Sequence, residues 1–302
     1  MAYFEHQGRS LHYLERGRGE PLILIHGLGS SGADWALQAA SLEAQFRLIV
    51  PDLPGSGHSD PLCAPARIED MAAALWALCD HLDVKRVNVV GFSLGGAVGM
   101  EMALQRPEGV RRLALINSLA TYKLDHWRKW LEAALTLVLV PLIGMPRAAR
   151  LGANRLFPMP WQHSLRERAV AAFSAVPVTH YLDTGRALLR WSAIGRLNRL
   201  KARALMIAAE NDFTPLAEKR ALAAHIGAQL LVVRGSRHGT PFDSVRATNA
   251  ALLAMLNDQP LPPAERWICD PAGHCGPLPF AGTIAEEHAF GLRDSAWLKI
   301  GS

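Results

Sequence analysis

Hydrophobic and polar positions along the chain follow two alternating periods. Short runs rich in Leu, Ile and Val, with few charges, recur at Pro21–Ile25, Phe46–Val50, Val87–Val90, Val110–Asn117, Ala204–Ala209 and Leu230–Val233. Runs of this length and composition suit strands buried on both faces. Between them lie stretches with a 3.6-residue period: Ile68–His81, Leu94 to about Pro107, Pro215–Ile226 and Ser244–Leu256. These predict helices. Ahead of them all, Tyr3–His6 and Leu11–Glu15, joined through Gly8, predict an antiparallel hairpin at a sheet edge. Strands alternating with helices at this spacing predict an α/β fold, a mostly parallel sheet flanked by helices. The alternation stops after residue 118 and resumes at Ala204. Residues 120–203 are instead helical in pattern and read as an inserted all-helical cap. The expected organisation is a core of residues 1–119 and 204–256, a cap of residues 120–203, and a C-terminal tail of residues 257–302.

Composition narrows the class. Half of the 302 residues are hydrophobic, enough for a large buried core. The apolar, uncharged run Ala133–Pro146 contains Pro141 and falls short of the roughly 18 apolar residues a spanning helix needs. Met1–His6 lacks the basic start and apolar core of a signal peptide, so a cytoplasmic location is expected. Four cysteines, Cys63, Cys79, Cys269 and Cys275, are too few for a disulfide framework at this length.

The net charge of +5 is unevenly placed, because residues 120–203 carry fourteen Lys or Arg against four Asp or Glu. The same region holds the apolar segment Leu131–Met145 and Trp127, Trp130, Trp161 and Trp191. Two readings fit. One is an apolar pocket beneath a cationic rim that meets an anionic lipid or a membrane surface. The other is a lid with an ordinary solvated basic face outside and an apolar face inside. Both imply a small hydrophobic substrate. No nucleic-acid-binding motif accompanies the charge, so no nucleic-acid partner is expected. The oligomeric state is left open.

The chemistry centres on Gly91-Phe92-Ser93-Leu94-Gly95, set between a predicted strand and a predicted helix. In that setting a G-x-S-x-G pattern forms a nucleophile elbow, with the serine at the tip of a strained turn. Gly91 and Gly95 let neighbouring backbone pass where a Cβ would clash. A serine nucleophile needs a base, and the base needs an orienting acid. Two predicted strands downstream end in suitable loops. Glu210-Asn211-Asp212 follows the strand ending at Ala209, and Arg237-His238-Gly239 follows the strand ending at Val233. Asp212 and His238 are the candidates, with Glu210 an alternative acid. Taken alone, Asp212 is also placed to cap the helix beginning near Pro215, and His238 is one of twelve histidines. Their order along the chain carries the assignment. Acyl transfer also needs two donors aimed at the oxyanion. The backbone N–H of Leu94 is one candidate, and that of Leu28, in His26-Gly27-Leu28-Gly29, is the other. His26 and Gly27 are expected to shape this loop rather than react.

These motifs, with Asp52-x-Pro54-Gly55-x-Gly57-x-Ser59, resemble those of the α/β-hydrolase superfamily, in its serine-nucleophile, esterase- and lipase-like branch. The resemblance spans roughly residues 3–256. It implies a serine hydrolase that cleaves a carboxylic ester with an apolar acyl or alcohol part. Related chemistries on the same constellation are thioester, lactone and C–C bond hydrolysis and cofactor-free haloperoxidation. A non-enzymatic receptor or scaffold is the remaining alternative. The resemblance implies Ser93, Asp212 and His238 as catalytic residues and no cofactor, and gives the Asp52 loop a shaping role. Gly239-Thr240-Pro241 departs from the bulkier segment that follows the histidine in many relatives. Activity is expected to rise through about pH 6–7 as the imidazole becomes neutral. In the tail, Cys269, His274 and Cys275 match no standard zinc spacing, so no metal is expected. The tail's acidity and aromatics, Trp267, Phe280, Phe290 and Trp297, predict that it docks on the cap or on a second copy.

Overall fold

A computed structural model of the chain describes residues 2–62, 65–124, 134 and 137–261. The expectations for Cys63, Trp127, Trp130, Leu131, Cys269, His274, Cys275 and the tail beyond residue 261 lie outside the described residues.

Eight strands form one sheet: β1 (Ala2–His6), β2 (Arg9–Arg16), β3 (Glu20–Ile25), β4 (Phe46–Pro51), β5 (Val87–Phe92), β6 (Val110–Ile116), β7 (Arg203–Ala209) and β8 (Gln229–Val233), in the order β1-β2-β4-β3-β5-β6-β7-β8. The hairpin β1–β2 is antiparallel and supplies one edge; β4, β3, β5, β6, β7 and β8 run parallel. Side chains alternate across the sheet because successive Cβ atoms point to opposite faces. Ile23, Ile25, Val87, Val89, Leu113, Leu115 and Met206 meet one apolar layer, which includes α2 (Ile68–His81) and α3 (Leu94–Gln105). Leu22, Leu24, Val90, Phe92, Ala114, Ile116, Leu205 and Ile207 meet the other, which includes α1 (Ala36–Leu42) and the helix Val245–Leu256. Burial on both faces is why these strands read as nearly unbroken apolar runs. The short helical turns at Gly32–Trp35, Ala36–Leu42 and Thr240–Asp243 carried too few turns for their period to register in the sequence.

Between β6 and β7 the chain is helical at 137–143, Met145–Leu156, His163–Ser174 and Val178–Arg190. Val140, Met145, Val176 and Leu182 form a small apolar cluster of their own there. Contacts at its base close the segment and bind it to the sheet layers. Thr121 and Ser192 form an isolated bridge where the chain leaves and rejoins. Buried Glu101, on α3, accepts Trp191 Nε1–H at 2.9 Å and both Nη groups of Arg196 at 2.9 and 2.8 Å. No helix among the described residues is long and apolar enough to cross a membrane.

Candidate active site

The parallel strands all end at one edge of the sheet, and the candidate residues follow those ends. β5 runs in register with β3, Gly91 opposite Ile25, and with β6, Phe92 opposite Ile116. The chain then turns sharply, and Ser93 N–H donates to Ile116 O at 2.9 Å. Ser93 has φ 53° and ψ −114°, a positive-φ conformation that non-glycine residues seldom adopt. Helix α3 starts at the next residue, and the N–H groups of Gly96 and Ala97 donate to Ser93 O at 2.9 and 3.3 Å. The turn is close-packed. A Cβ on Gly91 would strike the Gly95 carbonyl, and one on Gly95 would lie 2.6 Å from His26 O. The end of β3 therefore lies against the elbow, and the His26–Gly29 loop leaves beside Ser93.

The structure brings Ser93, His238 and Asp212 into one hydrogen-bonded line. His238 Nε2 is 2.9 Å from Ser93 Oγ, and His238 Nδ1 is 2.8 Å from Asp212 Oδ1. With the carboxylate accepting at Nδ1, the neutral ring carries its proton there and leaves Nε2 free to accept from the serine. The Asp212 side chain is fully buried and His238 is 7% exposed. Asp212 also accepts Thr214 Oγ1–H at 2.6 Å, the Thr214 backbone N–H at 3.2 Å, and an ion pair from Lys219. Burial pushes the Asp212 carboxyl up. The hydrogen bond and charge of His238 and the charge of Lys219 outweigh that and hold it far below the usual carboxylate range. Glu210 turns the other way and accepts the Gly235 N–H at 2.9 Å, which ties the two loops together.

Leu94 is the first residue of α3, so its N–H has no partner within the helix. Leu28 occupies the loop that abuts the elbow. His26, buried, accepts the Leu53 N–H at Nε2 (2.9 Å) and donates from Nδ1 to Gly27 O (2.8 Å). Burial lowers its pKa and keeps it neutral, as this pattern of one donor and one acceptor requires. Asp52 is a second brace. It accepts His12 Nδ1–H and the His58 N–H, both at 2.9 Å, and the Gly32 N–H at 2.7 Å. His12, Asp52 and His58 are also the one set of His and acidic side chains close enough together, among the described residues, to hold a cation. The donors already on Asp52 account for that clustering as loop bracing.

Aromatic rings line the site. Phe213 lies 4.2 Å and Phe92 5.2 Å from the His238 ring, centroid to centroid. From the helical segment between β6 and β7, Phe157 closes on Gly239, and Phe173 and Tyr181 close on Gly29. The Gly239-Thr240-Pro241 departure opens a short helix whose Thr240 Oγ1 lies 2.7 Å from Asn117 Nδ2 and 2.9 Å from Ser236 Oγ.

Two residues at the site were not singled out from sequence. Asn117, with φ 48°, follows β6. Its Nδ2 also donates to His238 O at 2.8 Å, and its Oδ1 accepts the Ala209 N–H at 2.7 Å and Lys219 Nζ at 3.2 Å. Lys219 is the other. Each had a signal: a polar residue closing a buried strand, and a lone charge on the apolar face formed with Leu222 and Ala223 of the helix Leu216–His225.

A family profile described as alpha/beta hydrolase fold matches residues 20–245. The chain belongs to that family. Among its relatives is the magnesium-chelatase 30 kDa subunit of Rhodobacter capsulatus, 33% identical over 229 residues, which cover 70% of this chain and 74% of the relative. A Pseudomonas syringae pv. syringae protein designated a carbamate hydrolase is 31% identical over 259 residues, covering 82% of this chain and 98% of the relative. A solved structure of a hydrolase from Pseudomonas aeruginosa superposes with a TM-score of 0.76 at 26% identity, covering 84% of this chain and 97% of that one. This alpha/beta hydrolase thus has relatives whose names span different substrates.

Proposed function

We propose that the chain is a serine hydrolase that cleaves a carboxylic ester with an apolar acyl or alcohol part through an acyl-enzyme. The observation that carries the reading is the continuous Ser93–His238–Asp212 line at 2.9 and 2.8 Å, with Ser93 held at positive φ on the elbow. His238 Nε2 takes the proton of Ser93 Oγ as the oxygen attacks the carbonyl carbon. The N–H groups of Leu94 and Leu28 receive the oxyanion. His238 then gives its proton to the departing alcohol. Water attacks the acyl-enzyme by the same route and frees Ser93. Asp212 fixes the tautomer and stabilises the imidazolium that forms at each step.

The apolar part of the substrate is read from Phe92, Phe213, Phe157, Phe173 and Tyr181 around the site. A carbamate carbonyl enters the same steps, and the Pseudomonas syringae relative favours it as the second reading. The experiment is turnover of p-nitrophenyl esters from acetate to palmitate, beside a p-nitrophenyl N-alkyl carbamate, by wild type and Ser93→Ala. Ester hydrolysis lost by about 10³-fold or more in the variant supports the first reading. Carbamate turnover without ester turnover selects the second. No turnover of either counts against both.

The same proposal makes residues 120–203 a cap, with a face that meets anionic lipid. Val138, Leu139, Leu142, Leu151 and Met159 are exposed there. Arg147 and Arg150 are exposed among them, and residues 137–162 hold no Asp or Glu. Apolar side chains beside cations are the composition of an interfacial helix. Sedimentation with vesicles of phosphatidylcholine, with and without phosphatidylglycerol, tests it. Binding that needs the anionic lipid and is lost in Leu142→Ser/Arg147→Gln/Arg150→Gln supports the contact; equal binding by the triple variant refutes it.

A further inference from the structure

Lys219 has no solvent exposure. Removing an ammonium from water is costly, and a buried ion pair is often no more stabilising than a hydrophobic side chain of the same volume. The helix Leu216–His225 places Lys219 on its inward face, one turn before Leu222 and Ala223, where an aliphatic residue would suffice for packing. Instead Nζ forms an ion pair with Asp212 Oδ2 and donates to Asn117 Oδ1 at 3.2 Å. The two carboxylate oxygens are divided: Oδ1 faces His238 and Oδ2 faces Lys219.

We propose that Lys219 is a positioning residue of this site, fixing the Asp212 carboxylate and, as a buried cation, lowering the pH at which His238 becomes able to accept the serine proton. The proposal rests on the serine-hydrolase reading for its effect on turnover. A carboxylate alone behind an imidazole favours the protonated ring; a cation on the far side of that carboxylate offsets part of the field. The charges acting on Asp212 are those of His238 and Lys219, and the charge acting on Lys219 is that of Asp212. Burial lowers the Lys219 pKa, and the Asp212 charge offsets only part of that shift. Tyr122, an ionisable group that feels the Asp212 charge, is pushed up to about 12 by burial and stays neutral. Arg155 Cζ lies 5.3 Å from the centroid of the Phe213 ring, which itself lies 4.2 Å from the His238 ring.

The test compares Lys219→Gln, which keeps a donor and removes the charge, with Lys219→Met, which removes both. Two readouts are taken: the pH profile of kcat/KM, and the titration midpoint of the His238 Nδ1–H proton resonance. Both variants are expected to move the acid limb and the midpoint upward by about one pH unit, with KM unchanged. Lys219→Arg, which keeps the cation, is expected to restore the wild-type midpoint. Folded Gln and Met variants whose midpoints match wild type overturn the proposal and leave Lys219 a packing residue. The resonance needs no turnover, so a shifted midpoint without hydrolysis faults the substrate reading alone.

Discussion

Ser93 holds the least favourable backbone conformation at the site, and the surrounding contacts enforce it. A non-glycine residue at such a φ and ψ costs about 1–3 kcal/mol, tolerated where neighbours over-determine it. Ser93→Gly is therefore expected to raise unfolding stability by about 1 kcal/mol, read by urea denaturation, while abolishing hydrolysis. Asp212 and Glu210 lie two residues apart, and spacing alone leaves either as the acid. Burial and direction separate them, since Asp212 meets His238 and Glu210 meets Gly235. Asp212→Asn is expected to lower kcat by roughly 10³–10⁴-fold, and Glu210→Gln by less than about tenfold. The depressed Asp212 pKa also sets the form of the pH profile. Its carboxylate stays ionised throughout the range in which a histidine titrates, so one proton, that on His238, governs the acid limb. A plot of log kcat/KM is expected to rise with slope one as pH increases. Slope two would mean that a second group titrates with the imidazole.

The site is assembled from strand ends, and Asn117 joins three of them. It follows β6, bonds the Ala209 N–H at the end of β7, and supports His238 O beyond β8. Asn117→Ala leaves these buried groups without partners, and is expected to cost about 3 kcal/mol in urea denaturation. The serine, aspartate and histidine were legible because each closes a buried run and the chemistry dictates their order. The strands were legible through their apolar composition, and the longer helices through their period. Asn117, Lys219 and Glu101 were not: Glu101 is one charge within an apolar stretch, Asn117 closes one, and Lys219 sits in the charged run Glu218-Lys219-Arg220, so only the fold shows what each faces. Glu101 faces Trp191 and Arg196, ninety or more residues along the chain. No local pattern records such a partner.

At the scale of the molecule, six parallel strands aim their carboxyl ends at one edge, and that edge is where Leu28, Asp52, Ser93, Asn117, Asp212 and His238 gather. An open α/β sheet gathers ligand-binding loops there because all its strand-to-helix turns leave on that side. The helices between β6 and β7 bring Phe157, Phe173 and Tyr181 over the same edge. That position was legible as a break in strand–helix alternation, whereas which ring meets which loop depended on long-range packing. The central claim is that this arrangement activates Ser93. The measurement that tests it most directly is intact-mass and peptide mapping after treatment with a fluorophosphonate, on wild type, Ser93→Ala and His238→Ala. One adduct on Ser93 is predicted, absent in Ser93→Ala and slowed by at least about 10²-fold in His238→Ala. An unlabelled wild type, or an adduct on another serine, would contradict the account.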